Sequence, residues 1–292
     1  ENTISANEAE GINKYAEYGF SEMELSAEMR ADKEEVNSRK VEAQALVEGK
    51  DYHAGQVVFW AETKEEAEQI AKCYNATLKK FAYNVGVLET GDVAPSVMVE
   101  AGADMNTELP AVYYDTIYSI AAVEDEMPEP SVIEITDEKK IPETDPFLEE
   151  VQEDPRFPVL TPEAAHTIPT PNVKQWFHTF INSQTAWDYA DGEGVTIAVV
   201  DSGVWADHPD LGRTKVIKGY NALSGLEDTD TTRYSDDENG HGTHVAGIAA
   251  AGGADNSVYG VAYSATVLPV RVLNKKGYSE NASTAMGIGY AV

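Results

Sequence analysis

The feature that most constrains this chain is a run of β-branched and apolar residues, Val195-Thr196-Ile197-Ala198-Val199-Val200, that ends in Asp201-Ser202-Gly203. Such a run reads as a strand buried on both faces of a parallel sheet. Forty residues on, Gly240-His241-Gly242-Thr243-His244-Val245-Ala246-Gly247 opens an apolar segment whose spacing predicts a helix over 241–251. Residues 266–273 read as a second buried strand and 279–292 as a further helix. Strands alternating with helices from about Val173 predict a doubly wound α/β sheet. Sites in such sheets lie beyond the carboxyl ends of the strands, and Asp201 stands at one. The small residues around His241 let its helix approach the sheet closely, which holds an imidazole at a fixed distance from a strand-end carboxylate. This is the arrangement of a general base and the acid that orients it.

The N-terminal half has another pattern. Residues 1–50 read as an acidic helical extension, with Met23, Leu25, Met29, Val36 and Val41 at mixed helical spacings, that docks on the segment 51–123. Within that segment, residues 56–60 read as a strand. Thr63, with Glu66 three residues later, marks a capping box and a helix through Tyr74. Two β-rich runs, 77–83 and 85–89, flank Asn84. A second helix lies within 95–103, and 111–123 reads as a long final strand. The order βαββαβ is the ferredoxin-like α+β arrangement. Residues 124–172 read as an acidic, proline-rich linker: 124–154 alone hold 13 acidic residues and four prolines, too polar to offset ordering entropy. Such a linker is also where proteolytic processing is expected. Residues 173–292 form the α/β unit.

The two C-terminal motifs, in this order, resemble those of the subtilisin-like serine proteases (subtilases). The likeness runs from Gln175-Trp176 through Val292 and takes in Ala186-Trp187 and Asp207-His208-Pro209-Asp210-Leu211. The resemblance implies that Asp201 is the triad aspartate and His241 the general base. It also implies that Leu273 and Gly277-Tyr278-Ser279 form an edge that pairs with an extended substrate backbone. The chemistry requires no cofactor. Asp210 matches a family position that commonly ligates calcium, to which Asp255 and Asn256 could add oxygens as a structural site. The family nucleophile sits in a Gly-Thr-Ser-x-Ala segment that this sequence lacks. Ser257, Ser264, Ser279 and Ser283 come after His241, but none opens a helix in that context.

The implied whole is the N-terminal part of a secreted or cell-surface endopeptidase precursor acting on protein and peptide substrates. Residues 51–123 would be its propeptide, partnered with its own catalytic domain, and the 292-residue segment would be inactive and poorly stable alone. Two other readings are a non-catalytic inhibitor or chaperone of the propeptide type, and a peptide-binding pseudoenzyme. No basic, apolar leader opens the sequence, so a signal peptide would already have been removed.

Charge narrows the partners. The formal net charge is −30, with 37 acidic against 13 basic residues over 1–170 and 14 against 8 over 171–292. Such a surface repels phosphate backbones and disfavours nucleic acid. No run of eighteen apolar residues suggests a transmembrane helix, and the one cysteine, Cys73, permits no intramolecular disulfide. His244 reads as structural, since a zinc helix would need a Glu beside its paired histidines. Trp205 and His208 read as shaping the turn after Asp201. Glu227, Asp228, Asp230, Asp236, Asp237 and Glu238 read as a solvated acidic loop.

Overall fold

The computed structural model describes residues 12–38, 46–120, 175–229, 231–253 and 258–292. The acidic linker expected over 124–172 therefore lies outside the described residues.

The chain opens with a 3-10 helix, Ile12–Tyr18, and the helix α1, Ala27–Ser38. Next come β1 (Tyr52–Trp60), α2 (Lys64–Cys73), β2 (Thr77–Ala82), β3 (Val85–Glu89), α3 (Pro95–Ala103) and β4 (Tyr113–Ser119). Thr63 caps α2, its Oγ1 accepting the N–H of Glu66 at 3.2 Å. The Glu66 carboxylate turns back to the N–H of Glu62, one residue outside the reciprocal position of a capping box. Tyr83 and Asn84 both take positive φ, as a tight two-residue hairpin between β2 and β3 requires. The final strand is shorter than the run 111–123 suggested.

Alternation along β1 divides the N-terminal sheet into two faces. Val57 and Phe59 face α2 and α3, where Ile70, Tyr74, Leu88, Met98 and Leu109 complete a core. Tyr15, Phe20, Leu25 and Met29 from the N-terminal segment are buried in the same core. Lys33 of α1 fixes that segment: its buried ammonium donates to Thr107 O, Thr107 Oγ1 and Leu109 O at 2.8–2.9 Å. Burial pulls its pKa down to about 8 against the opposing pull of Asp104, Glu108 and Glu22.

The C-terminal half begins with two short helices, α4 (Trp176–Phe180) and α5 (Ser183–Ala186), ahead of β5 (Thr196–Asp201). It continues with β6 (Lys215–Val216), β7 (Tyr220–Asn221), β8 (Leu226–Glu227), α6 (His241–Ala250), β9 (Thr266–Arg271), β10 (Tyr278–Glu280) and α7 (Asn281–Ala291). Strands β5, β6 and β7 all pair with β9 in parallel, whereas β7 and β8 are antiparallel. The sheet is thus mixed rather than wholly parallel, because a short hairpin supplies its edge. Ala246 and Ala250 of α6 pack with Val199 and Val267, while Met286 of α7 packs with Val270 and Val272. The two helices therefore cover opposite faces.

The halves share structure. β10 pairs antiparallel with β4, so the N-terminal sheet runs β10-β4-β1-β3-β2. Its second face contributes Val58, Val85 and Val87 to one core with Tyr220, Val270, Leu273, Ala282 and Met286. Tyr83 meets the stacked rings of Tyr220 and Tyr290 edge-on. The pairing with β4 also corrects the helix expected over 279–292: its first residues are drawn into a strand, and α7 starts at Asn281.

Candidate active site

Asp201 ends β5 and His241 opens α6, and the two side chains meet. Nδ1 of His241 lies 2.8 Å from both carboxylate oxygens of Asp201. The Asp201 side chain is 11% exposed and that of His241 43%, so the carboxylate is sheltered and the ring reaches solvent. Donation of Nδ1–H to the carboxylate fixes the tautomer in which Nε2 carries the lone pair. Further bonds hold Asp201: its main-chain carbonyl accepts the N–H groups of Val272 and Leu273, and its side-chain Oδ1 also accepts Ser202 N–H.

Two glycines make this approach possible. A Cβ on Gly242 would fall 2.1 Å from Gly203 O and 3.1 Å from the Asp201 carboxylate. Gly203 has φ +106° and lies so close to Ser235 O that a side chain would overlap it. Gly242 thus reflects backbone packed on backbone, whereas Gly240 has open space around it and takes φ +103° at the helix start.

Asp237 organises the loop before the helix. Its Oδ1 accepts Ser202 Oγ–H and the N–H groups of Asn239 and Gly240, and its Oδ2 accepts Thr243 N–H and Oγ1–H, all at 2.6–2.9 Å. Ser202 Oγ in turn accepts Gly242 N–H. Burial alone would raise the Asp237 carboxyl, but the donors from Gly240, Thr243 and Asn239 outweigh it and hold it below the usual range. Asp228 is buried and accepts from Gly219, Ser235 N and Ser235 Oγ. Buried Arg271 donates to Asp236 O and Glu238. The expected solvated loop is corrected here: Asp228 and Asp237 are structural acceptors for otherwise unpaired backbone donors. Sequence reasoning missed Asp237; its place four residues before the histidine was the available signal.

Leu273 is buried, and its N–H is turned to Asp201. Tyr278 and Ser279 pair with Ser119 and Tyr118 of β4, and Gly277 O accepts Ile120 N–H at 3.0 Å. The edge assigned to a substrate backbone is covered by a strand of the chain itself. His208 Nδ1 accepts Asp210 N–H at the short turn after Trp205, whose ring meets His208 edge-on. His244 is exposed and lines a cavity of about 610 Å³ with Trp205, His208, Asp210 and Ile248. Asp255 and Asn256 lie outside the described residues, among which no group of three or more His, Cys, Asp or Glu could hold a metal ion.

Residues 192–292 match the subtilase family. The C-terminal part of the chain is a subtilase family domain. It is 42% identical over 112 residues to an intracellular serine protease of Paenibacillus polymyxa, covering 38% of this chain and 33% of that protein. Against thermitase of Thermoactinomyces vulgaris it is 44% identical over 112 residues, 38% of each. The minor extracellular protease Epr of Bacillus subtilis is 36% identical over 122 residues, covering 41% of this chain and 17% of that protein. The chain thus spans 33–38% of the length of the first two of these relatives. Similar subtilases include intracellular and extracellular proteins by name, and among the described residues no helix is long and apolar enough to cross a membrane. The fold as a whole resembles fervidolysin from Fervidobacterium pennivorans, a keratinolytic enzyme related to subtilisin. The TM-score is 0.57 at 20% identity, over 84% of this chain and 35% of that one.

Proposed function

We propose that this chain is the N-terminal portion of a subtilisin-type serine endopeptidase precursor. The observation that carries the reading is the contact of His241 Nδ1 with both oxygens of Asp201. In this role His241 Nε2 takes the proton of a serine nucleophile and returns it to the leaving amine. Asp201 holds the tautomer and stabilises the imidazolium without itself being protonated. The serine would come from a Gly-Thr-Ser-x-Ala segment in polypeptide C-terminal to Val292. An oxyanion formed on the scissile carbonyl would be held by preorganised donors from the same later part.

Residues 51–123 act, in this reading, as a propeptide domain that covers the site. Two features support it: β4 lies on the edge Tyr278–Glu280, and the N-terminal sheet shares a core with α7. A substrate strand would use the same edge once β4 has left. Export is the expected setting, and a structural calcium ion at Asp210 would be bound through oxygen ligands.

The test is expression of the open reading frame through the family serine segment, then a peptide-hydrolysis assay. Wild type is expected to hydrolyse peptides and to yield a separated N-terminal domain. His241→Ala should lower kcat by roughly 10⁶-fold, the loss measured for the equivalent change in subtilisin itself. A His241→Ala enzyme within tenfold of wild type would overturn the assignment. A reading frame without a nucleophile segment would move the non-catalytic inhibitor reading to first place.

A further inference from the structure

β4 and β10 meet over only three residue pairs, Ser119 with Tyr278, Tyr118 with Ser279 and Ile117 with Glu280. Beside this short ladder lies a carboxylate that is half satisfied. Asp115 of β4 is fully buried; its Oδ1 accepts Ala282 N–H at 3.0 Å, in the first turn of α7. Its Oδ2 is buried without a hydrogen-bond partner. α7 has no side-chain cap of its own, so a residue 167 positions earlier serves that end. Asp115 lines a cavity of about 310 Å³ between the two halves, together with Gln56, Lys79, Lys80 and Glu280. Across the same seam, His53 Nε2 of β1 stands 3.5 Å from the Glu280 carboxylate.

We propose that this seam is a proton-operated latch, holding the N-terminal sheet on the C-terminal half most tightly when Asp115 is protonated and loosening when it ionises. A neutral carboxyl still accepts the Ala282 N–H through its carbonyl oxygen. It carries no buried charge and no repulsion from Glu280. The groups facing Asp115 are Glu280 of β10, His53 of β1, and Lys79 and Lys80 of β2. Both lysines are committed, Lys79 to Gln56 Oε1 and Lys80 to Ala222 O. Burial pushes the Asp115 pKa up to about 6; the Ala282 N–H opposes this, Glu280 adds to it, and His53 and Lys79 oppose it.

An undocked Asp115 titrates near 3.8 and a docked one near 6, so the docked state binds the proton more tightly. Docking is strongest below about pH 4, weakens as the pH rises to about 6, and is flat above that. Two pH units correspond to a loss of about 100-fold in the docking equilibrium. The functional consequence rests on the reading of residues 51–123 as a cover: acid would keep the edge Tyr278–Glu280 closed, and neutral pH would favour its release to a substrate strand.

Hydrogen exchange in the 292-residue chain tests this without any proteolysis. Protection at the amides of residues 278–282, corrected for intrinsic exchange, should fall by up to about 100-fold between pH 4 and pH 6.5. Asp115→Asn keeps the acceptor and cannot ionise, so its protection should stay at the acid value throughout. A flat wild-type profile, or an Asp115→Asn profile as steep as wild type, would overturn the latch. Should that variant fail to fold, the ¹³C titration of the Asp115 carboxyl in wild type decides: a midpoint near 6 supports the latch and one near 3.8 refutes it. If exchange behaves as expected while the N-terminal domain fails to inhibit the complete protease, the latch stands and the covering role falls.

Discussion

The N-termini of α6 and α7 are both served by an aspartate from outside the helix, and the two aspartates differ sharply. Asp237 accepts five hydrogen bonds and is held below the usual carboxylate range. Asp115 accepts one, keeps a buried oxygen unpartnered, and is pushed up to about 6. Neither helix has a side-chain cap from its own first residues. The difference lies in the supply of donors: a loop that folds around a carboxylate satisfies it, whereas a flat sheet laid against a helix end offers a single N–H. A saturated carboxylate makes a fixed joint, suited to holding His241 on Asp201. An unsaturated one makes a joint whose strength depends on the proton.

Removing the saturated member should cost most. Asp237→Ala leaves the donors of Ser202, Asn239, Gly240 and Thr243 without their acceptor. Chemical denaturation should show a loss of about 3 kcal/mol; a loss below about 0.5 kcal/mol would erase the contrast. Asp115→Asn should do the opposite at neutral pH, raising stability by about 2.7 kcal/mol at most and leaving it unchanged at pH 4. Equal destabilisation at both pH values would mean that Asp115 is simply another fixed cap. Thr63→Ala, at a helix that carries its own cap, should cost about 1 kcal/mol at any pH from 5 to 8.

A second pH-dependent effect, of opposite sign, sharpens the comparison from the other side of the N-terminal sheet. Lys33 is held near 8, below its ordinary 10.5, so the unfolded chain binds the extra proton between those values. Its contribution to stability should therefore rise with pH over about 8 to 10.5, opposite in sign to that of Asp115 between about 4 and 6. Lys33→Met should remove the alkaline slope and leave the acid one, measured as the difference in denaturation midpoint across pH.

Much of the local structure was legible in the sequence. Val85–Glu89 and Pro95–Ala103 have the bounds that their patterns gave, and Thr63 caps as its spacing implied. These elements depend on neighbours within a few residues. Asp201 and His241 were legible because the glycines needed for close backbone approach leave a mark in the sequence. β10 was not: three residues become a strand only because β4, some 160 positions earlier, lies beside them. The roles of Asp228, Asp237 and Asp115 were hidden for the same reason. An acidic residue looks alike in sequence whether its oxygens meet water or backbone N–H groups, and only the folded loop supplies the latter.

The central claim is that Asp201 and His241 form a working base unit, and its most direct test needs only this chain. A ¹⁵N-resolved NMR spectrum of the imidazoles reads the His241 tautomer. The proton is expected on Nδ1, shielded from exchange by Asp201, and should leave that nitrogen in Asp201→Asn. A wild-type His241 carrying its proton on Nε2, or a spectrum unchanged by Asp201→Asn, would contradict the claim.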